Sequence, residues 1–125
     1  PETHTYLKNT VIADSTSGGN CKGKAFDSSK YSLSSDNTCA LSGTGDQNSV
    51  AAKLNPLGLV GGSLKTHLPL PDSPLIDLIS GSDYPSTDQR GIGRPQGLGG
   101  DTGAVERQIS DPVYSLLSYL PLVLK

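Results

Sequence analysis

Tryptophan and methionine are missing from this chain, phenylalanine occurs once, and aromatic residues make up only 5% of its 125 positions. A core without large rings must be built from small aliphatic side chains, which suits stacked strands better than a helical bundle. Long runs of like charge are missing too. Ten basic and twelve acidic side chains leave a formal charge of -2, with no basic stripe of the kind that binds phosphate backbones. Nucleic acid is therefore not an expected partner. No uncharged apolar stretch reaches the ~20 residues that carry a helix across a bilayer. No basic, apolar leader follows Pro1, so a removed signal, a removed upstream region and a fragment are all open readings of the start.

Cysteine occurs twice. Cys21 and Cys39 enclose a segment rich in Lys, Gly, Ser and Asp, with no metal-site spacing and no His beside it. A disulfide is the simplest reading if the protein is exported, contributing roughly 3 kcal/mol on the chain-entropy model; two free thiols are the alternative. Fifteen Gly, nine Pro and many Ser, Thr, Asn and Asp favour turns over helix, because they break helices or compete for their backbone hydrogen bonds. The length allows one domain with one modest core. The expected class is all-β with long loops.

Along the chain, "THTYLKNTVIA" alternates imperfectly and reads as one or two short strands. A single strand over Tyr6 to Ile12 would place Leu7, Asn9 and Val11 on one face. Brief strands and loops follow between Cys21 and Gly45. The aliphatic section from Asn48 to Ser80 is interrupted by Pro56, Pro69, Pro71 and Pro74, so it reads as an irregular apolar wrap. Short helical turns are expected at Ser49 to Lys53 and after Ser73, with Pro74 at the first helical position.

Three stretches together resemble the C-terminal region of bacterial extracellular right-handed parallel β-helix proteins, the choice-of-anchor Q domain group. "GDQNSVAAKLNPLGLVGGSLKTHLPLPDSPLIDLIS" and "TDQRGIGRPQGLGGDTGAVE" are similar to two of the family's segments in order and spacing. "LKNTVIADSTSGGNCKG" with "YSLSSDNTCAL" looks like a last rung and its disulfide-linked excursion. The resemblance implies short right-handed parallel β-helix rungs with an irregular, loop-rich C-terminal cap over residues 1–106, and an apolar tail for docking or anchoring over residues 107–125. Family members commonly carry a second cysteine pair where this sequence has Tyr84 and Gly100. Their joint loss implies that the two positions are partners, and leaves Cys21 with Cys39 as the surviving bridge. Most rungs of the family are also missing here. A solenoid unit cannot bury its apolar face alone, so the chain is expected to need a partner surface or its own upstream part.

Asp88, Arg90, Arg94, Asp101 and Glu106 are expected to form a structural charge network, each guanidinium fork meeting carboxylates or carbonyls. Gly91, Gly93, Gly97, Gly99, Gly100 and Gly103 would let the loop turn tightly around it. Laid across the last rung, such a loop would cover an unpaired sheet edge. The enzymatic alternative makes Asp88 and Asp101 or Glu106 an acid and base pair acting on a glycan, with an arginine binding a uronate. The lateral face that would carry such a site is mostly absent, and the glycines match no phosphate-binding motif.

His67 reads as a hydrogen-bonded structural residue, and His4 has no partner in sequence. "SSDNT" and "GTGDQN" read as turns, without a calcium-loop pattern. No metal or cofactor is expected. The tail residues Val113, Tyr114, Leu116, Leu117, Tyr119, Leu120, Leu122, Val123 and Leu124 are expected to pack against protein, with a membrane interface second. The chain as a whole reads as a non-enzymatic, exported structural or adhesion module. It would assemble with copies of itself or dock on a larger surface assembly, through rung ends and tail. The alternatives are the terminal part of a polysaccharide-processing β-helix enzyme and an accessory subunit of a membrane-bound complex.

Overall fold

The structure, a computed structural model, describes residues 2–113. Five short strands carry the regular structure: β1 (Tyr6–Lys8), β2 (Val11–Ile12), β3 (Ser28–Lys30), β4 (Leu33–Ser34) and β5 (Gln47–Asn48). All pair in parallel, β1 with β3 in one sheet and β2 with β4 with β5 in another. Tyr6 lies opposite Ser28 and Val11 opposite Leu33, a constant shift of 22 residues. The next return is shorter, with Leu33 opposite Gln47 at a shift of 14. Parallel strands need a crossover to return in the same direction, and two polar excursions provide it.

The expected strand from Tyr6 to Ile12 is split in two. Asn9 takes φ 50° and ends β1, and Tyr31, 22 residues on, takes φ 49° between β3 and β4. These left-handed corners bend both levels at the same place and divide one sheet from the other. A bulky residue pays conformational energy there, so tertiary contacts must hold Tyr31. Its N-H donates to the Thr44 carbonyl at 2.8 Å, its hydroxyl pairs with Ser80 Oγ at 2.7 Å, and its carbonyl accepts from Thr102 Oγ1 at 2.9 Å.

The excursions are organised by side chains that imitate backbone partners. Asn20 donates its amide to the Ile12 carbonyl at 2.8 Å, and Asp36 accepts from Asn20 N and from Thr38 N and Oγ1. Asp46 accepts from Ser32 N, Gly43 N and Ser29 Oγ. Both acidic turn motifs are thus occupied by the chain itself. Cys21 and Cys39 are joined by a disulfide, their Cα atoms 4.9 Å apart.

Inside, Leu33, Ala52 and Leu75 form one buried cluster, with Val11, Ala13, Val50 and Leu54 packed against it. Val60, Leu68 and Val105 form a second. The proline-interrupted section folds back on itself as an irregular antiparallel ribbon, bridged at Leu54 to Pro69 and Gly58 to Thr66. The helical turns expected there do not form as helices. Ser49 and Lys53 both take positive φ, which no right-handed helix accommodates. After Ser73 two overlapping tight turns appear, Ile76 N donating to the Ser73 carbonyl at 3.2 Å and Leu78 N to the Leu75 carbonyl at 3.4 Å, with Asp77 at φ 56° inside the second. No helix occurs among the described residues, and none is long and apolar enough to cross a membrane.

Candidate functional site

The five charged residues singled out in the sequence come together in one buried network, with two more. Asp88 and Glu106 side chains are 0% exposed, Arg90 2% and Arg94 4%. Arg90 uses its whole fork: Nε donates to Asp88, the terminal nitrogens to both oxygens of Asp111 at 2.8 and 3.1 Å, and also to the carbonyls of Val60 and Glu106. Arg94 donates to Glu106 Oε2 at 3.0 Å and to the carbonyls of Asp101 and Gly103. Arg107 and Asp111 were not anticipated. Arg107 donates to the carbonyls of Pro69 and Pro112. Their signal was the residue types in "ERQISD", charged side chains just past a motif that already needed counterions.

The carboxylates face amides. Asp88 accepts from the N-H groups of Arg90, Ile92 and Glu106; Glu106 from Gln96 and Asp101; Asp101 from Asp77 at 2.9 Å and Arg107 at 2.7 Å. Burial works to raise the Asp88 carboxyl, but the Glu106 and Ile92 amides and Arg90 outweigh it and hold it below its ordinary value. Asp111 is lowered in the same way, with the Arg90 bonds outweighing burial. Asp101 goes the other way: burial first, then the neighbouring Glu106 and Asp77 charges, push it up to about 6 against the donated amide bonds.

The guanidinium groups bind loop carbonyls, not the carbonyls of the last strand, because those of Val60, Pro69, Thr87, Asp101, Gly103 and Glu106 lie closest. The segment meets the strands at their corners instead, Thr102 Oγ1 on the Tyr31 carbonyl and Gly103 N on the Asn9 carbonyl at 3.0 Å. Tyr84 and Gly100 are in contact: a Cβ on Gly100 would fall 2.5 Å from the Tyr84 ring. His67 Nδ1 lies 2.8 Å from the Asn55 carbonyl, and His4, without an evident partner in sequence, meets Asp27 at 3.1 Å. Among the described residues no cluster of three His, Cys, Asp or Glu is placed to hold a metal ion.

The open feature is elsewhere. β2 lies at the edge of its sheet. The carbonyls of Thr10 and Ile12 receive the N-H groups of Leu33 and Ser35. Val11, between them, therefore aims its own N-H and C=O away from β4 along the free edge. Beside that edge runs a groove of about 860 Å³. Val11, Ala13, Leu54, Leu57, Leu75 and Val105 give it apolar walls. Lys65, His67 and Asp14 also line it. Of the docking residues expected in the tail, only Val113 lies within the described residues, and it is exposed; Tyr114 and those after it lie outside them. Compared with family models, curated proteins and solved structures, the chain matches none of them.

Proposed function

We propose that this chain is a non-enzymatic, extracellular structural or adhesion module, formed of terminal rungs of a parallel β-helix, that stacks through its open first rung on copies of itself or on a larger surface assembly. The observation that carries the reading is the apolar groove beside the unpaired edge of β2. Val11 and Leu75 lie at once in the core cluster and on the groove wall. A further strand laid along β2 would pair with Val11 and extend the same core, which is how stacked repeats gain stability. The constant 22-residue return of the first two levels and the disulfide support the rung and export components. Asp88, Asp101 and Glu106 are buried and committed to backbone amides, which supports a structural role over an acid and base pair.

Sedimentation equilibrium of the full chain from micromolar to millimolar concentration tests this. Association is expected, weakened about tenfold or more by Val11→Lys, since each ~1.4 kcal/mol of lost contact is a factor of ten. Leu98→Lys, at a fully exposed position, should leave it unchanged. A monomer at every concentration would contradict the proposal.

A further inference from the structure

We infer that the occupant of the groove beside β2 is β2 of a second copy, the two edges pairing antiparallel about a two-fold axis at Val11. The inference rests on the association proposed above and deepens it by naming the partner and its symmetry. Thr10 and Ile12 commit their carbonyls to the N-H groups of Leu33 and Ser35, so within β2 it is Val11 that turns both a donor and an acceptor outward. Two such residues placed opposite each other exchange both hydrogen bonds. Their side chains then stand on one face of the joined sheet, the face on which Val11 packs against Leu33, Ala52 and Leu75. The second copy's Val11 thereby extends that cluster, and the joined sheet runs from β5, β4 and β2 of one chain into β2, β4 and β5 of the other.

Head-to-tail stacking is the competing arrangement, and the edge it would bring is that of β5. Val11, Leu33 and Gln47 lie opposite one another in register. A stack that continues this column sets Gln47 of the next copy against Val11 and buries its amide beside an apolar wall, which costs free energy unless the amide is hydrogen-bonded. Two-fold pairing sets valine on valine. Charge favours the same arrangement. Asp14 and Lys65 both line the groove and both are exposed, and neither forms an ion pair among the described residues. A surface carrying one acid and one base is complementary to itself, because a two-fold rotation brings the Asp14 of each copy to the groove that holds the other's Lys65.

The test is disulfide trapping in the full chain, at concentrations where sedimentation shows association; Cys21 and Cys39 are held in their own disulfide. Opposed α-carbons in a hydrogen-bonded antiparallel pair lie about 5.5 Å apart, inside the range of about 4.4–6.8 Å that a disulfide spans. Val11→Cys alone should therefore close, on mild oxidation, into two chains joined at that position, and association should stop at the dimer because the pairing consumes both β2 edges. In Val11→Cys with Gln47→Cys, links mainly between the two different positions would establish head-to-tail stacking and overturn the inference while leaving the association in place. Association with no link through the Val11 position would overturn it as well, and a chain monomeric at every concentration would overturn both it and the function proposed above. Lys65→Glu changes only an exposed side chain and should weaken the dimer about fivefold, the reach of a surface ion pair, with Asp14→Asn in the same chain recovering part of the loss. A dimer indifferent to Lys65→Glu would contradict the two-fold placement.

Discussion

Arg90 has acceptors for all five of its N-H donors, two of them on Asp111 and one on Asp88. Lysine cannot reproduce that planar fork. Arg90→Lys should therefore lower stability by about 3 kcal/mol, the low end for breaking a buried ion pair, read from urea midpoints. Asp101 supplies a pH signature. Its carboxyl is raised from the ordinary 3.8 to about 6, so the folded chain holds its proton more tightly than the unfolded chain between those values. Stability from this residue accordingly falls as pH rises from about 4 to 6, by on the order of 3 kcal/mol. Asp88 and Asp111 are depressed, so their contribution is present above the ordinary carboxylate range and lost as pH falls through their folded values. Stability measured across pH should thus peak at about pH 4 instead of at neutrality. In Asp101→Asn the decline between pH 4 and 6 should shrink; an unchanged slope would exclude Asp101 as its source.

At the scale of elements, what could be read in the sequence depended on whether a local rule decided it. The charge network was legible because guanidinium groups among carboxylates and glycines have few ways to be buried. The turn roles of Asp36 and Asp46 were legible for a similar reason, since both sit in runs of turn formers. The corner at Tyr31 was not, because its left-handed backbone is held by Thr44, Ser80 and Thr102, contacts distant in sequence. The same applies to Ser49 and Lys53, where a helical reading of "SVAAK" gave way to packing of Val50 and Ala52 against Leu33. The contact of Tyr84 with Gly100 was anticipated from a paired loss of cysteines, and it invites a direct trial. Tyr84→Cys with Gly100→Cys should form a disulfide on oxidation and stabilise the chain by about 3 kcal/mol for a loop of this size. Failure to close under mild oxidation would show that the two backbones stand further apart than the ring contact implies.

The whole molecule is asymmetric. The arginine network holds the loops together and the two small clusters reach the groove wall through Leu75 and Val105, while the first level of strands leaves a sheet edge and that apolar groove without a partner strand among the described residues. A long open edge invites pairing, and this one is short, flanked by Lys65 and Asp14, and continuous with the core. Those features suit controlled docking better than indiscriminate aggregation. Amide hydrogen exchange at Val11, followed residue by residue in dilute and concentrated samples of the full chain, tests this most directly. If the edge of β2 is the contact surface, the Val11 amide exchanges freely in the monomer and slows about tenfold or more once chains associate, as a buried strand hydrogen bond requires. Association that leaves the Val11 rate unchanged would place the interface elsewhere and contradict the account.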